Sequence, residues 1–336
     1  MTRYPAVICP VDFSDASRAA LGHAAAIADH FGAEITVLAV VDPFIAALAS
    51  SEPTSTTLEI ETKEALQRYC EESLAHLPKG PRSLKLRYAI GTPALEILRE
   101  AHEARAELIV MSSHGRRGFQ KMFFGSTTER VLRHTDVPVL IIPPSRTRAC
   151  PLSQLAGEIG EVVAPVDLTT ASTRQVTVAA AIASALSVPL MLTHVLAPVG
   201  AGLGSRWVAP DLDSVRIKST QEQLAEIQSS IASTVRTESL VVSGEPSEEI
   251  IKVADSRSAK LIVMGLHSSG VLGPRMGSVT YRVLCTTEAF VLALPPRAPG
   301  RVTRHGQQSP ADGALRRPTS VRSHGTTALP PRTTPV

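Results

Sequence analysis

Cysteine, aromatic residues and long apolar runs are all scarce in this chain of 336 residues. The four cysteines, Cys9, Cys70, Cys150 and Cys285, lie far apart, with no C-x-x-C pair and no histidine at metal-ligand spacing. A disulfide scaffold, a zinc knuckle and a thioredoxin-like redox pair are thereby excluded, and the thiols read as buried or incidental. No run is long or apolar enough to span a bilayer, and the opening MTRYPAVICPVDFSD enters a strand directly instead of forming a signal peptide. A cytoplasmic location is expected. Aromatics make up only 4% of the residues, so Phe119, Phe123, Phe124 and the lone Trp207 read as packing anchors, not base-stacking platforms. Both common nucleotide loops, G-x-x-x-x-G-K-[ST] and G-x-G-x-x-G, are missing.

Negative charge is missing from one end. Seven Arg against a single Asp from Arg297 onward give that tail +6 within a whole-chain charge of +3, so the body carries −3. The basic character belongs to the tail. A Pro/Arg/Ser/Thr/Gly-rich segment with few large apolar side chains cannot offset its ordering entropy, and Ala298–Val336 is expected to be disordered. It could be a plain soluble extension or could attract nucleic acid or an acidic partner weakly.

What is present is a strand–helix alternation stated twice. Ala6–Val11, Glu34–Val41, Leu84–Ile90, Glu107–Met111 and Val137–Ile142 read as strands, the first of them buried and the third alternating. Ala16–Phe31, Leu58–Leu77 and Ala94–Ala104 read as helices, and a polar loop contains Pro43 and Pro53. Alternation at this spacing implies right-handed crossovers and a parallel sheet covered on both faces. The pattern then repeats about 153 residues later. VVAPVDLTTAS at Val162–Ser172 matches VICPVDFSDAS at Val7–Ser17, Gly244–Ser268 matches Gly91–Gly115, and GSVTYRVL at Gly277 matches GSTTERVL at Gly125. A period this long means domain duplication, not a solenoid. The expected layout is a first domain over 1–145, a linker over 146–160, a second domain over 161–297 and the tail over 298–336.

Within the first half, Met111–Arg130 (MSSHGRRGFQKMFFGSTTER) joins a strand through a Gly-rich loop to a helix start. That order gathers unpaired backbone N–H groups and the positive end of a helix dipole around one small volume, which suits a phosphate.

The succession V-D-[FL]-[ST]-x-x-S, G-[TE]-P-x-x-E-I, [LI]-I-V-M-x-x-H, G-S-x-T-x-x-V-L and a closing apolar strand before Pro-Pro, found twice, resembles the universal stress protein family in its tandem form. The resemblance covers Pro5–Pro144 and Glu161–Pro296. It implies two flavodoxin-like, Rossmann-like α/β domains, each a five-stranded parallel sheet of order 3-2-1-4-5. It also implies association of the two through their last strands as an intramolecular pseudo-dimer, with a homodimer a further option. ATP-binding members carry G-x2-G-x9-G-[ST] after strand four. Here the first half has Ser112 for the leading Gly but keeps Gly115, Gly125 and Ser126 in register. The second half has Gly265, but Ser268 replaces the next Gly, the spacer is one residue short, and Pro274 removes a donor.

Carried over residue by residue, the resemblance places an adenine nucleotide, ATP with or without Mg²⁺, at Pro10, Asp12, Val40, Ser112, His114, Gly115, Arg116, Gly125, Ser126 and Thr127. A second, weaker set is Asp167, Val195, Gly265, Gly277, Ser278 and Val279. Asp12, at the carboxyl end of the first strand beside the switch point, either accepts from the nucleoside or caps the next helix. Ser126 and Thr127 could cap a helix or hold phosphate. Arg116, Arg117 and Lys121 could neutralise phosphate or be solvated. His114 and His267 are equivalent, and no nucleophile or carboxylate is placed to make either a catalytic base. Without a Walker lysine, an arranged base or a carboxylate pair for metal, no efficient catalysis is expected. The reading is a stress-response nucleotide-binding regulator; the alternative is a nucleotide-free tandem scaffold that docks on other, unidentified proteins.

Overall fold

The computed structural model describes residues 5–49, 55–75, 77, 81, 83–114, 125–146, 157–169, 172–197, 211–231, 235–266 and 276–296. The tail and most of the linker lie outside these residues, as do Gly115, Arg116, Arg117, Lys121, His267, Ser268 and Pro274.

The apolar run AVICPV forms β1 (Ala6–Val11), and Ser14 then caps α1 (Asp15–Phe31) by accepting from the Ser17 N–H. Gly32 ends that helix at φ 61°, the left-handed geometry that a residue without Cβ adopts at little cost. β2 (Glu34–Val41) follows. The expected polar loop at Pro43 is instead a short helix, α2 (Pro43–Ala49). Proline suits the first helical position, where its missing N–H costs nothing, and Asp42 supports the turn by accepting from the Phe44 N–H at 2.8 Å. The rest of the half is α3 (Ser55–Leu74), β3 (Ser83–Ile90), α4 (Pro93–Glu103), β4 (Leu108–Ser112), α5 (Ser126–His134) and β5 (Val139–Ile142). The second half gives β6 (Val162–Pro165), α6 (Ser172–Leu186), β7 (Leu190–Leu196), α7 (Asp211–Ser229), β8 (Thr237–Ser243), α8 (Pro246–Ser256), β9 (Leu261–Gly265), α9 (Ser278–Thr286) and β10 (Phe290–Leu294).

The strands lie in one sheet ordered β3-β2-β1-β4-β5-β10-β9-β6-β7-β8. Each half is parallel in the order 3-2-1-4-5, and the halves meet where β5 and β10 pair antiparallel with Leu140 opposite Leu292. Helices cover both faces. One core gathers α1, α3, α6 and α7 residues such as Leu21, Leu66, Val176 and Leu224; the other gathers Ile97, Leu132, Ile250 and Val283 of α4, α5, α8 and α9. The G-x-P-x-x-E motif has a steric cause. A Cβ on Gly91 would lie 2.6 Å from Glu96 Oε1, and one on Gly244 2.7 Å from Glu249 Cγ. Only glycine lets the glutamate of the following helix fold back over the strand end.

Candidate functional site

In an open parallel sheet the neighbours of the switch point splay apart, and a crevice opens beyond their carboxyl ends. β1 and β4 pair only at Val7–Leu108 and Ile8–Ile109, and β6 and β9 only at Val162–Leu261 and Val163–Ile262. Each half therefore opens a crevice at Asp12 or Asp167.

The turn after each Asp is built alike. Asp12 Oδ1 accepts from the Ser14 N–H at 3.1 Å and the Ser14 hydroxyl at 2.5 Å. Asp167 Oδ1 accepts from the Thr169 N–H at 3.1 Å, the Thr169 hydroxyl at 2.7 Å and the Ser172 hydroxyl. The residue after each, Phe13 or Leu168, sits at φ 62° or 59°, strained geometry for a side chain with a Cβ. The helix cap in the first half is Ser14, so the capping reading of Asp12 gives way to an Asp-centred turn that fixes the carboxylate at the crevice. Burial alone would raise the Asp167 carboxyl, but the hydrogen bonds from Ser172 and Thr169 outweigh it and hold the group below the ordinary range. Those bonds all fall on Oδ1, which leaves Oδ2 for a ligand.

At the other wall, α5 and α9 begin on Gly125 and Gly277, and neither helix start has a side-chain cap. Ser126 and Thr127 thus do not cap. Gly125 N–H donates to Ser113 O at 3.0 Å, and Gly277 N–H to Leu266 O at 2.9 Å. A residue overlooked in the sequence completes the joint. Thr128 Oγ1 donates to Ser112 O at 3.1 Å, and Thr280 Oγ1 to Gly265 O at 2.9 Å, pinning each helix start to its strand end. The threonine of G-S-x-T was visible as a repeated letter, but its partner is set by the sheet.

In the first half, Pro10, Asp12, Val40 and Ser112 fall at strand ends and Gly125–Thr127 at the helix start. Ser112 Oγ donates to His114 O at 2.7 Å, and His114, buried, lies 2.9 Å from Ser113 Oγ through Nδ1. In the second half, Asp167, Val195, Gly265, Gly277, Ser278 and Val279 all line one cleft of ≈ 270 Å³.

The second cleft also carries three polar residues that sequence reasoning missed. Gln175 stands where the first half has Ala20. Its amide donates to Pro165 O at 2.5 Å and Val263 O at 2.9 Å and accepts from the Gly265 N–H at 3.2 Å, bridging the splayed β6 and β9. A glutamine in the apolar stripe of α6 was the available signal. Thr193 pairs with Pro165 as Leu38 pairs with Pro10. It is fully buried in the cleft wall, and its hydroxyl has no hydrogen-bond partner among the described residues. His194, opposite Ala39 in the repeat, uses Nδ1–H on Val166 O at 2.7 Å, which leaves Nε2 for a ligand. Among the described residues no cluster of three His, Cys, Asp or Glu could hold a metal ion, and no helix is long and apolar enough to cross a membrane.

The strand ends part alike in the two halves of one sheet, which is the frame of a doubly wound α/β protein. The sequence model of the universal stress protein family matches residues 3–143 and again 158–295. The chain belongs to that family. A universal stress protein of Methanocaldococcus jannaschii is 35% identical over 143 residues, 41% of this chain and 82% of its own. The crystal structure of a universal stress protein from Archaeoglobus fulgidus superposes with a TM-score of 0.56 at 20% identity, over 87% of this chain and 98% of its own. Another from the same organism, solved with dAMP, is 25% identical over 40% of this chain and 95% of its own, with a TM-score of 0.31.

Proposed function

We propose that this universal stress protein binds an adenine nucleotide at the carboxyl ends of its strands and uses occupancy to bias conformation or partner choice, without efficient turnover. The observation that carries the reading is the ≈ 270 Å³ cleft lined by all six residues expected for the second site. Its size is near the lower end for small-molecule sites, about 300 Å³, so it encloses a nucleoside and leaves phosphates toward the loop. Asp167 Oδ2 faces the ribose, the uncapped start of α9 faces phosphate with its N–H groups and dipole, and the base rests against Val195, Ile250 and Met264 with the Thr193 hydroxyl in reach. Adenine is chosen because a family member is solved with dAMP. In the first half the corresponding ligands are Pro10, Asp12, Val40, Ser112, His114, Gly115 and Arg116 with Gly125, Ser126 and Thr127. The halves, 1–145 and 161–297, act as an internal pseudo-dimer across the β5–β10 seam in a cytoplasmic stress-response protein.

One observation favours the nucleotide-free scaffold for the first half. Ser112, in place of the family Gly, spends its hydroxyl on the His114 carbonyl and closes the loop entrance on itself. Calorimetric titration of ATP with Mg²⁺ into the full chain, with GTP as control, tests both readings. Binding that falls at least tenfold on Asp167→Asn and persists on Asp12→Asn supports a working second cleft. No binding up to about a millimolar, weaker than ~4 kcal/mol, would leave the scaffold reading standing.

A further inference from the structure

A second cavity lies away from both clefts, over the seam between the halves. It measures ≈ 390 Å³, and its floor is Leu108, Leu140, Leu261, Phe290 and Leu292 of the four central strands. Its walls are two helical stripes, His23, Ile27 and Phe31 of α1 facing Val178, Ile182 and Leu186 of α6. Spacings of four residues put each stripe on one helix face. The stripes are equivalent in the repeat, so the groove straddles the relation between the halves. Ile27 answers Ile182, Phe31 answers Leu186, and His23 answers Val178.

That last pair is the one departure from apolar character. The second half demonstrates that the position accepts valine, yet the first half places an imidazole there. His23 is 2% exposed, and among the described residues neither ring nitrogen has a hydrogen-bond partner. The ring stands edge-on to Phe290 at 5.1 Å, and the Arg146 backbone approaches it without reaching hydrogen-bond geometry. A buried imidazole has a donor and an acceptor to satisfy, and leaving both unmade is costly. Phe31, 56% exposed, stands at the rim and gives access from solvent.

We propose that this groove is a ligand site for an uncharged aliphatic molecule with one terminal hydroxyl or carbonyl, toward which the His23 ring, its nitrogens now behind the apolar lining, turns to hydrogen-bond while the ligand chain lies between α1 and α6. An engineered apolar cavity of 150 Å³ holds benzene, so this volume admits roughly fifteen non-hydrogen atoms. A carboxylate is disfavoured, because it would lose its hydration on burial while the nearby Arg146 guanidinium is already paired with Glu158 at 3.8 Å.

The probe is N-phenyl-1-naphthylamine, uncharged and fluorescent in apolar surroundings, displaced from the full chain by 1-decanol, n-decane or decanoate. Decanol should displace it about tenfold more effectively than decane, and that advantage should vanish in His23→Leu, whose own melting temperature should rise. Ala185→Trp and, separately, Ala181→Trp should block the probe by filling the groove. If either fails to fold, the ring proton and nitrogen shifts of His23 on adding decanol to the wild-type chain decide in its place. Equal displacement by decanol and decane, unmoved His23 resonances, or preference for decanoate would overturn the proposal. A sedimentation change in the tryptophan variants without loss of a probe site would also overturn it, assigning the groove to a second copy of the chain. None of these readouts depends on nucleotide, so failure here leaves the cleft reading untouched.

Discussion

His23 should make this protein acid-labile well above the pH at which carboxylates titrate. Burial pushes its pKa down from 6.5 to about 4, with the Arg146 charge acting in the same direction. The sign follows from proton uptake. In the unfolded chain the imidazole protonates near 6.5, while the folded protein resists protonation until about 4. The unfolded state therefore binds more protons throughout that window, and stability, full above 6.5, drains away as pH falls toward 4. Linkage over that shift gives a loss of about 2 kcal/mol by pH 5 and about 3 kcal/mol by pH 4, relative to neutral pH. That is a sizeable part of the ~5–15 kcal/mol of a typical domain. The assay is urea unfolding followed by circular dichroism at pH 7.5, 6, 5 and 4.5, for wild type and His23→Leu. The two curves of stability against pH should diverge below pH 6.5, the wild type losing about 2 kcal/mol more by pH 5. Parallel curves would refute the argument, since the remaining acid sensitivity would then belong to other groups.

Two further changes probe the clefts. Thr193→Val removes a buried hydroxyl without a partner, so the ligand-free chain should melt higher, by about 1 kcal/mol of stability, while nucleotide affinity at the second cleft falls about tenfold. A higher melting temperature with unchanged affinity would take Thr193 out of the site. Gly125→Ala should destabilise by about 1 kcal/mol, because the new Cβ would sit 3.3 Å from the Ser113 carbonyl and 3.6 Å from Thr128 Oγ1. The backbone there, φ −62°, accepts alanine, so the cost is steric, and an unchanged melting curve would count against it.

Most of the frame was legible because it depends on patterns that a single chain displays. Apolar runs such as AVICPV and LIVMG bury on both faces of a parallel sheet wherever they fall, so the strands followed from periodicity and repeat, while their order was what the family resemblance implied. α2 was missed because Pro43 was taken as a loop marker, when its position just after Asp42 suits a helix start. Whether Asp12 caps α1 was left open, since Asp12 and Ser14 are both competent, and the turn at Phe13 gives the cap to Ser14. Thr128, Thr280 and Gln175 were illegible for another reason. Their partners are backbone carbonyls on strands 10 to 88 residues away, and nothing local marks a hydroxyl or amide that will meet a splayed strand end. The buried hydroxyl of Thr193 is legible only as an imbalance, visible once every possible partner has a position.

The internal repeat separates what both halves keep from what one has changed. Both keep the Asp-centred turn, the positive-φ residue behind it, the uncapped helix start and the threonine that ties that helix to its strand. These set the mouth of a crevice and are indifferent to what fills its depth. The walls have diverged: Ala20, Leu38 and Ala39 in one half stand against Gln175, Thr193 and His194 in the other. A glutamine bridging β6 and β9 holds the second crevice at a fixed width, and its amide is fully committed, so the polar contacts left for a ligand there are Thr193 and His194. At the same depth the first half offers methyl groups. Two clefts with the same mouth and different walls should differ in which base they accept more than in how they hold phosphate. The same ATP and GTP titrations would show this if Asp12→Asn and Asp167→Asn shifted the ATP-to-GTP preference of the chain in opposite directions, and equal preference in both variants would mean that the wall residues do not read the base.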